Sequence, residues 1–487
     1  MSFAEISPAA PVLNPRKREL LEHIETNLDE QQQWREFNSA YYDDDRKYMR
    51  FLIPPGKRVL ELGCGRGELL AALQPAFGVG VDFSKSSIDK AKELYPGLHF
   101  VLGDVENPEV LASVEGPFDY IIIADTIGMF ENIDDTLKLV HQQCAPSTRI
   151  IISYYSHLWE PILKLAELLR LKSRQPQINY IATTDFLNLM DLADFEAIRQ
   201  DRRQLLPRKL FGLGPLVNRF IAPLPGVRQL CLRTYIVGRP VRKFSDRKFS
   251  ASIVIPCRNE RGNIEDAVRR MPKFGASQEI LFVEGNSSDG TFEECERVRD
   301  TYKGVWHIKV LKQDGKGKGD AVRKGFAAAT GEVLMILDAD LTMPPETLPK
   351  YHAAIETGKA DFVNGTRLIY PMEDQAMRPL NLIANRMFAL LFSYLVNTRL
   401  TDTLCGTKVL LKKDYEALAG ERAYFGNFDP FGDFDLIFGA AKQNLKIIET
   451  PIHYKARTFG ETQISRFRDG WLLLKMVWFA YRKLKAI

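Results

Sequence analysis

Short apolar runs alternate with amphipathic stretches along the chain, in two series separated by a polar break. In the first series, strand-like runs are separated by stretches of helical periodicity, which predicts parallel strands joined by crossover helices. The predicted strands are residues 58–62, 78–81, 99–102, 120–124 and 149–153. Helices are predicted between them, including residues 68–73, 86–94 and 134–144. The first half is therefore expected to be an α/β domain with a doubly wound sheet.

Two later strand-like runs, residues 195–199 and 230–237, lack a clear helix between them. They are expected to close the first sheet as an antiparallel pair. The loop between them, residues 207–227, is basic, apolar and rich in glycine and proline. Its composition fits either a lid or a membrane-facing insertion.

The polar, basic segment 238–248 has no periodicity and indicates a linker. After it the alternation restarts, which predicts a second doubly wound α/β domain. Its predicted strands are residues 252–256, 279–283, 306–311, 332–337 and 362–365. Its predicted helices are residues 263–271, 291–302, 319–329 and 346–356. No internal sequence repeat relates the two halves.

The domain organisation predicted from this pattern has four parts. Residues 1–56 form an N-terminal helical extension, 57–240 the first domain, 241–250 the linker and 251–487 the second domain. A length of 487 residues agrees with more than one domain. The second domain is expected to end in an amphipathic helix.

Composition narrows the class of protein. Hydrophobic residues make up 45% and charged residues 26%, as in globular proteins. The net charge of +4 is too small to indicate a nucleic-acid partner, and none is expected. Six cysteines without a CxxC pair argue against a structural zinc site and a disulfide framework, and favour a reducing compartment.

Membrane contact is expected at the surface rather than through a span. The N-terminus has no apolar secretory core, and no uncharged apolar stretch reaches 18 residues. Residues 380–396 and 471–487 are amphipathic and contain basic side chains. They are predicted either to pack on the protein's own core or to lie in a membrane interface.

A glycine-rich turn follows the first predicted strand and precedes a helix, at residues 63–67. Such a turn lets the backbone approach a ligand and points amide N–H groups at it. The next strand ends in Asp82, whose carboxylate can bind both hydroxyls of a ribose. The third is followed by Asp104, which can accept a hydrogen bond from an adenine amino group.

The ordered motifs ELGCGRG, VGVDFS and GDV, at residues 61–67, 79–84 and 103–105, resemble the class I S-adenosylmethionine-dependent methyltransferases. The resemblance covers roughly residues 57–240. It implies a Rossmann-like fold and S-adenosylmethionine as cofactor. By this resemblance, the methionine moiety is lined by Glu61, Gly63, Gly65 and Gly67, the ribose by Asp82 and the adenine by Asp104. NAD binding and helix capping by these carboxylates are the alternatives.

The methyl acceptor is not identified by the sequence. Asp125, Tyr154, Tyr155 and His157 follow predicted strands where an acceptor would lie. His157 is a candidate general base, with a structural role as the alternative.

In the second half, an apolar strand delivers Asp338 and Asp340 at its carboxyl end. Side chains two residues apart on an extended strand point the same way, so both can meet one divalent cation. Hard oxygen ligands suit Mg²⁺ or Mn²⁺, which would neutralise a diphosphate. Upstream, residues 252–260 and 282–291 are strands followed by polar loops, and residues 315–321 form a basic glycine-rich loop.

These pieces resemble family 2 glycosyltransferases of the GT-A fold over about residues 251–474. The motif DADLTMPPE, residues 338–346, looks like the polyprenyl (dolichyl) phosphate sugar transferases. The resemblance implies that Asp338 and Asp340 hold the metal and that Arg367, Lys408 and Arg457 serve the acceptor phosphate or the diphosphate. The nucleotide-sugar pocket is expected to involve Pro256, Asn259, Glu260, Glu284, Lys316 and Asp338.

The sequence departs from the family pattern at three places. Glu284 and Gly285 replace a usual pair of aspartates, and Lys408 stands where that branch has an arginine. The late motif ends in Gln463 and Ile464 instead of a Ser-Lys type pair. Lysine gives up the bidentate phosphate geometry of arginine.

The acceptor class depends on whether a base is needed. A lipid phosphate is already ionised and can attack without a base, whereas a hydroxyl must lose a proton to a carboxylate. Asp433 and Asp435 are candidates for that base, or alternatively cap a helix or support other site residues.

The leading hypothesis is a bifunctional enzyme of glycolipid or polysaccharide assembly. It transfers a hexose, with inversion, from a nucleotide-sugar to polyprenyl phosphate and methylates a related acceptor. We expect a peripheral position on the inner, cytoplasmic face of the cytoplasmic membrane. The alternative is transfer to a soluble glycan hydroxyl, with a non-catalytic S-adenosylmethionine-binding or docking domain at the N-terminus.

Overall fold

The computed structural model describes residues 15–169, 179–242, 247–370, 379–425, 432–455, 457, 459 and 466–487. The chain divides into two compact units, Met1–Val241 with Ala486–Ile487, and Arg242–Lys485. Each unit contains one seven-stranded sheet with both parallel and antiparallel pairs. The expected pair of α/β domains is confirmed at this level.

The first unit opens with three helices and then alternates strands and helices. Its elements are α1 (Pro15–Thr26), α2 (Leu28–Phe37), α3 (Ser39–Leu52), β1 (Arg58–Leu62), α4 (Glu68–Ala72), β2 (Phe77–Asp82), α5 (Lys85–Leu94), β3 (His99–Leu102), α6 (Pro108–Ala112), β4 (Phe118–Ala124), α7 (Ile133–His141), β5 (Cys144–Tyr155), α8 (Glu160–Leu168), α9 (Thr183–Leu192), β6 (Phe195–Arg203), α10 (Leu213–Phe220) and β7 (Arg233–Pro240). The strand order is β3-β2-β1-β4-β5-β7-β6.

Strands β1 to β5 run parallel, so their carboxyl ends meet at one edge of the first sheet. They form because short runs of β-branched and aliphatic residues, such as Ile121–Ile123 and Ile150–Ile152, are buried on both faces. Strand β7 lies antiparallel between β5 and β6, which confirms the predicted closing pair. Helix α10 forms inside the loop between them, where the sequence predicted no clear helix.

Helix starts in the first unit follow local capping chemistry. The Ser84 hydroxyl accepts a hydrogen bond from the Ser87 N–H at 3.2 Å and begins α5. The Asn107 side chain accepts from the Glu109 N–H at 2.9 Å and begins α6, with Pro108 at its first position. Each cap satisfies a backbone donor that the helix itself cannot, and this fixes where the loop at the sheet edge ends.

The second unit repeats the alternation and adds later helices. Its elements are β8 (Ala251–Cys257), α11 (Ile264–Arg269), β9 (Gln278–Glu284), α12 (Thr291–Thr301), β10 (His307–Lys312), α13 (Lys318–Ala328), β11 (Val333–Ile336), α14 (Leu348–Glu356), β12 (Phe362–Thr366), α15 (Pro379–Val396), β13 (Lys408–Leu411), α16 (Lys412–Gly420), α17 (Arg422–Phe425), α18 (Phe434–Lys442), β14 (Ile447–Pro451) and α19 (Arg466–Leu484). The strand order is β10-β9-β8-β11-β13-β12-β14.

Two strands of the second sheet were not predicted, β13 and β14. Strand β13 lies antiparallel between β11 and β12, and β14 pairs parallel with β12. The core beneath the sheet is aliphatic and includes Ile253, Ile280, Met335 and Val363. Among the described residues, no helix is long and apolar enough to cross a membrane.

Candidate functional site

The glycine turn of the first unit connects β1 to α4 at the carboxyl edge of the sheet. Gly63 and Gly67 have φ of 75° and 74°, a backbone conformation that residues other than glycine rarely adopt. A Cβ on Gly63 would also lie 2.3 Å from the Thr126 hydroxyl oxygen. The Gly63 N–H donates to the Val81 carbonyl at 2.8 Å, so the turn is held against β2. Only glycine fits this close approach of two strand ends.

Glu61 is a buried carboxyl group two residues before the turn. Burial raises its pKa to about 8, and the backbone N–H of Leu70 lowers it only in part. Its Oε2 atom is buried and has no hydrogen-bond partner in the described structure. A buried acid with an unused oxygen fits a cationic ligand, because such a ligand would stabilise the ionised form.

Asp82 ties the second loop of this edge to the glycine turn. Its Oδ2 accepts from the Gly65 N–H at 2.8 Å, and its Oδ1 accepts from the Ser84 N–H at 2.9 Å. Burial raises the pKa of Asp82, although both N–H groups act in the opposite direction. The structure therefore brings Asp82, the glycine turn and Glu61 together at adjacent strand ends.

Asp104 lies one strand further, where the Gly103 N–H donates to the Asp82 carbonyl at 2.9 Å. Its carboxylate pairs with the ammonium group of Lys17, which also pairs with Glu106. Its other oxygen accepts from the Glu106 N–H at 3.0 Å. The predicted adenine-binding carboxylate is thus already in contact with a cation from α1.

The N-terminal helices contribute to this edge in a way that the sequence did not predict. Besides Lys17, α1 supplies Glu25, which accepts from the Ser84 hydroxyl at 2.8 Å and from the Ser86 N–H at 3.2 Å. Arg35 of α2 pairs with Glu68 at 3.3 Å, in the first turn after the glycines. Helical periodicity was the only signal in this part of the sequence, and it carries no information about partners.

Asp125, a candidate for the acceptor side, follows β4 with φ of 58°. Its carboxylate pairs with the buried guanidinium of Arg233, which also pairs with Asp45 of α3 at 2.6 Å. Burial alone would lower the pKa of Arg233, but Asp45 and Tyr41 hold it above its ordinary value. Asp125 is therefore one end of an ion-pair chain across the acceptor side.

The other acceptor candidates lie at the carboxyl end of β5 and just beyond it. Tyr154 is buried and its hydroxyl lies 3.3 Å from the Thr183 hydroxyl. Burial holds the pKa of Tyr155 well above its usual value. His157 is exposed at the start of a 3-10 turn, Ser156 being its cap. Tyr155 packs in a small aromatic cluster with Tyr41, Trp159 and Tyr180.

In the second unit, Asp338 and Asp340 follow β11 and meet two different cations. Asp338 Oδ1 lies 2.6 Å from the Lys318 ammonium, at the first residue of α13. Asp340 Oδ2 lies 2.6 Å from Arg457, and its Oδ1 accepts from the Thr342 hydroxyl at 2.9 Å. Burial would raise the pKa of Asp338, but Lys318 lowers it below its usual value.

The donor set of this pair is chemically suited to a hard divalent cation, because it consists of oxygens alone. In the part of the chain that the structure describes, no group of three or more His, Cys, Asp or Glu side chains is placed to hold a metal ion. The side chains of Asp338 and Asp340 are 32% and 14% exposed. A metal held here would therefore take other ligands from substrate or water.

The predicted nucleotide pocket is built from the loops after β8 and β9. The Asn259 N–H donates to the Ser287 hydroxyl at 2.9 Å, and the Asn259 side-chain oxygen accepts from the Ser288 N–H at 2.9 Å. Glu284 is buried and accepts from the Ser287 N–H. Pro256, in β8, pairs in register with Val283. The two loops are therefore bound to each other.

Glu260 links this pocket to the aspartate pair. One of its oxygens accepts from the Asn263 amide at 2.7 Å, and the other lies 3.2 Å from Arg457. Burial raises the pKa of Glu260 despite these contacts. Arg457 thus bridges Glu260 and Asp340. Lys316 is exposed on the glycine loop, whereas Lys318, not singled out from the sequence, contacts Asp338.

Arg367 is held by Asp402, a residue that the sequence analysis missed. The guanidinium Nε and NH2 atoms lie 2.6 and 2.8 Å from the two Asp402 oxygens. Asp402 also accepts from the Asn385 amide at 2.8 Å. Burial would raise the pKa of Asp402, but Arg367 lowers it to about 2. The bidentate pair fixes the plane of the guanidinium.

Lys408 is fully buried in β13. Its ammonium donates to the Cys405 carbonyl and lies 3.6 Å from Asp433 Oδ1. Asp435 instead pairs with Arg323 at 3.5 Å, and burial raises its pKa. Asp433 stands at the start of α18 but makes no side-chain cap. The two candidate base residues therefore have separate cationic partners.

Two family models match the chain. The methyltransferase domain model matches residues 34–200, and the glycosyl transferase family 2 model matches residues 252–418. The first match begins within α2, before the glycine turn. The second contains every residue of the Asp338–Asp340 region and ends within α16.

Curated relatives match the second half. The chain is 36% identical over 121 residues to the dolichol-phosphate mannosyltransferase of Pyrococcus furiosus, covering 24% of this chain and 33% of that protein. It is 28% identical over 225 residues to the undecaprenyl-phosphate 4-deoxy-4-formamido-L-arabinose transferase of an Enterobacter species, covering 45% and 63%. The chain thus spans between a third and just under two thirds of the length of these relatives.

Solved structures match each half with low identity. A SAM-dependent methyltransferase of Thermotoga maritima is 18% identical, with a TM-score of 0.36, covering 45% of this chain and 99% of that one. The glucosyl-3-phosphoglycerate synthase of Mycobacterium tuberculosis, in complex with Mn²⁺, UDP and product, is 15% identical, with a TM-score of 0.36, covering 48% and 80%. On the two family matches, the chain carries a methyltransferase domain in its first half and a family 2 glycosyltransferase domain in its second.

Proposed function

We propose that the chain is a bifunctional enzyme of glycolipid or surface-polysaccharide assembly. Its second half transfers a hexose from a nucleotide-sugar, with inversion, to a polyprenyl-phosphate-type acceptor. Its first half transfers a methyl group from S-adenosylmethionine to a related acceptor. The observation that carries the proposal is the pair of carboxyl groups after β11, each next to a cationic side chain at the carboxyl edge of the sheet.

The second site supports nucleotide-sugar chemistry through its charges. Asp338 and Asp340 would hold Mg²⁺ or Mn²⁺, which when bound neutralises the charge of the leaving diphosphate. Lys318 and Arg457 add positive charge at the same place. Asn259, Glu260 and Glu284 shape the pocket for the base and ribose.

A phosphate acceptor is supported over a hydroxyl acceptor by two contacts. Asp402 holds Arg367 in one orientation, as recognition of a phosphate requires. Asp433, one candidate base for a hydroxyl, is buried beside Lys408 at 3.6 Å. The ammonium group of Lys408 therefore stands beside an oxygen that a hydroxyl acceptor would have to approach. The names of the polyprenyl-phosphate relatives point in the same direction.

The first site supports binding of S-adenosylmethionine. Glu61 offers a buried oxygen that has no hydrogen-bond partner among the described residues, beside the glycine turn, which suits the positive charge of the methionine moiety. Asp82 and Asp104 stand at the next two strand ends, for ribose and adenine. Asp125 is engaged with Arg233, so we assign it to positioning the acceptor side rather than to taking a proton.

Peripheral membrane contact is supported by two helices of the second unit that pack together, α15 and α19. Ile383, Met387 and Leu390 are exposed along one face of α15, and Trp471 and Trp478 along one face of α19. The basic end of α19 would favour anionic lipids. The six cysteines are all free, which supports a reducing compartment and the inner face of the cytoplasmic membrane.

Sugar transfer is tested first with a thermal-shift panel of nucleotide-sugars, with and without Mn²⁺. A donor that raises the unfolding temperature only in the presence of the metal would identify the sugar and would support a metal site at Asp338 and Asp340. The labelled donor is then incubated with polyprenyl phosphate and, separately, with a soluble glycan. Label in the butanol phase supports the proposal, and label that stays in water with polyprenyl phosphate present contradicts it.

Methyl-donor binding is tested by isothermal titration of the full chain with S-adenosylmethionine. We expect binding that Asp82→Ala abolishes, because this carboxylate anchors both the glycine turn and the ribose. Asp89→Ala, an exposed aspartate on α5, is the matched control. A wild-type chain that does not bind S-adenosylmethionine would contradict the proposed methyl transfer.

A further inference from the structure

The segment between β6 and β7, residues 204–232, is here called the insertion. It contains four basic residues, Arg208, Lys209, Arg219 and Arg228, and no aspartate or glutamate. It begins and ends at the carboxyl edge of the first sheet, because the Ser156 N–H donates to the Leu232 carbonyl at 2.7 Å. The insertion is therefore a basic element beside the acceptor side of the methyltransferase domain.

The inner side of the insertion is held together by contacts within the insertion itself. Asn218 of α10 accepts from the Leu206 N–H at 2.9 Å and donates to the Leu206 carbonyl at 2.8 Å. Ala222 and Cys231 are buried, with the thiol 3.7 Å from the Ala222 carbonyl. A Cβ on Gly214 would lie 1.8 Å from the Arg208 carbonyl oxygen, so the glycine is required.

The outer side of the insertion is apolar and exposed. Six large hydrophobic side chains between residues 211 and 224 are 41% to 109% exposed: Phe211, Leu213, Leu216, Phe220, Ile221 and Leu224. A helix that only packs on its own core turns its apolar face inward. Helix α10 does the reverse, because the polar Asn218 forms hydrogen bonds with Leu206 whereas Leu213 and Leu216 face outward.

Phe211 marks the tip of this apolar side. It is the most exposed of the six and has φ of 54°, which is strained for a bulky side chain. At 109% exposure, the phenyl ring gains no packing against the described part of the chain that would offset this strain. An exposed aromatic ring held in this way suits insertion into an apolar phase.

Helix α8 adds a second exposed apolar strip next to the insertion. Ile162, Leu165 and Leu168 are 52% to 71% exposed. Just before α8, the Trp159 Nε1 donates to the Leu230 carbonyl at 2.8 Å, which joins the two elements. The chain then continues with Arg170, Leu171, Lys172, Ser173 and Arg174, outside the described residues.

We propose that the insertion and α8 form a docking surface for a bilayer containing anionic phospholipid. This goes beyond the proposed function, in which lipid contact lies in the second unit. Within the insertion, the exposed apolar side chains are accompanied by basic and no acidic residues, which matches the acyl boundary and the headgroups of such a bilayer. Helix α8 contributes Lys164 together with Glu160 and Glu167. A second copy of the chain is a poorer occupant, since a two-fold contact would oppose like charges.

The direct test is hydrogen–deuterium exchange of the full chain with vesicles. We expect vesicles of phosphatidylcholine and phosphatidylglycerol to slow exchange in peptides covering residues 204–232 and 158–169. Pure phosphatidylcholine is expected to do so much less, and high salt is expected to reverse the effect. Slower exchange confined to α15 and α19 would overturn the proposal. Protection of the insertion in lipid-free protein would also overturn the proposal. Protection that increases with protein concentration would indicate a second copy of the chain, and protection that does not would indicate contact within the chain itself.

A variant tests the apolar tip. Phe211→Ser with Leu216→Ser is expected to lower the vesicle partition coefficient in flotation by about tenfold and to remove the lipid-induced protection of residues 204–232. The control is Leu192→Ser, which changes a 66% exposed leucine at the end of α9. Thermal unfolding midpoints are expected to be unchanged in both, because the side chains are exposed. Equal partition and equal protection in both variants would overturn the proposal.

Discussion

At the scale of single residues, several charged groups of both sites pair with side chains that lie far away in the sequence. Asp402 and Arg367 are the clearest case, because the carboxylate has no exposed surface and accepts hydrogen bonds from the Nε and Nη2 atoms of the guanidinium. Removing one partner of such a pair leaves a buried charge without compensation. Arg367 therefore depends on Asp402 for its orientation and for its place in the fold.

Asp402→Asn is expected to destabilise the second unit by about 3–5 kcal/mol, because Arg367 loses its counter-charge in a buried site. The measurement is denaturant unfolding of the full chain. Asp266→Asn is the matched control: its pair with Arg269 is on the surface, and its loss is expected to cost less than about 1 kcal/mol. Equal effects of the two substitutions would contradict the assignment.

The same pair predicts a pH dependence. Arg367 lowers the pKa of Asp402 in the folded protein to about 2, whereas the pKa of an aspartate in the unfolded chain is about 3.9. The contribution of the ionised Asp402 to folding stability is therefore present above about pH 3.9 and is lost as the pH falls through about 2. Acid unfolding of the wild type is thus expected to be steeper between about pH 4 and 2 than that of Asp402→Asn.

Glu61 predicts the opposite slope in the first unit. Its pKa is raised to about 8, so its contribution to stability is present below about pH 4.3 and is lost as the pH rises through 8. Glu61→Gln is expected to flatten the fall in thermal stability between about pH 5 and 8. If S-adenosylmethionine binds here, its affinity rises with pH over that range in the wild type and much less in Glu61→Gln. An unchanged slope in the variant would assign the pH dependence to other groups.

At the scale of elements, the sequence predicts strands well where apolar runs are buried on both faces, as in β1, β4 and β8. It fails for β13, because a strand of four residues that begins with Lys408 has no apolar alternation to detect. Helix α10 was missed because Gly214 and Pro215 lie in its first turn, where proline is in fact tolerated. The site motifs were found because each follows a strand within a few residues. Lys17 and Asp402 were not identified from the sequence, because their partners, Asp104 and Arg367, lie 87 and 35 residues away.

The glycine turn allows a matched test of packing against backbone strain. Gly56 and Gly63 have nearly the same φ, 74° and 75°, but a Cβ on Gly56 meets nothing within 4 Å. Gly56→Ala is expected to cost about 1 kcal/mol, from conformation alone. Gly63→Ala is expected to cost clearly more, because the methyl group meets Thr126 at 2.3 Å. Thermal unfolding measures both, and equal losses would show that the turn has room.

At the scale of the whole molecule, the two sites are built on separate sheets of separate units. We therefore expect Asp340→Ala to abolish sugar transfer and to leave binding of S-adenosylmethionine unchanged, and Asp82→Ala to do the reverse. Sugar transfer is measured as product formation from a labelled nucleotide-sugar, and binding of S-adenosylmethionine is measured by calorimetric titration. Loss of both functions in either variant would contradict this separation.

Because β7 lies between β5 and β6 in the sheet but follows both in the chain, the last part of the first sheet can form only after β7 has been synthesised. Within the described sheet, strand β6 has β7 as its single neighbour, and 29 residues, 204–232, separate the end of one from the start of the other. At about 5–20 residues per second, translation of that stretch takes roughly 1.5–6 s. During this interval β5 is an open edge and β6 has no neighbour in the sheet. The nascent chain thus passes through a state with an exposed apolar strand, and any stall between residues 204 and 232 prolongs it.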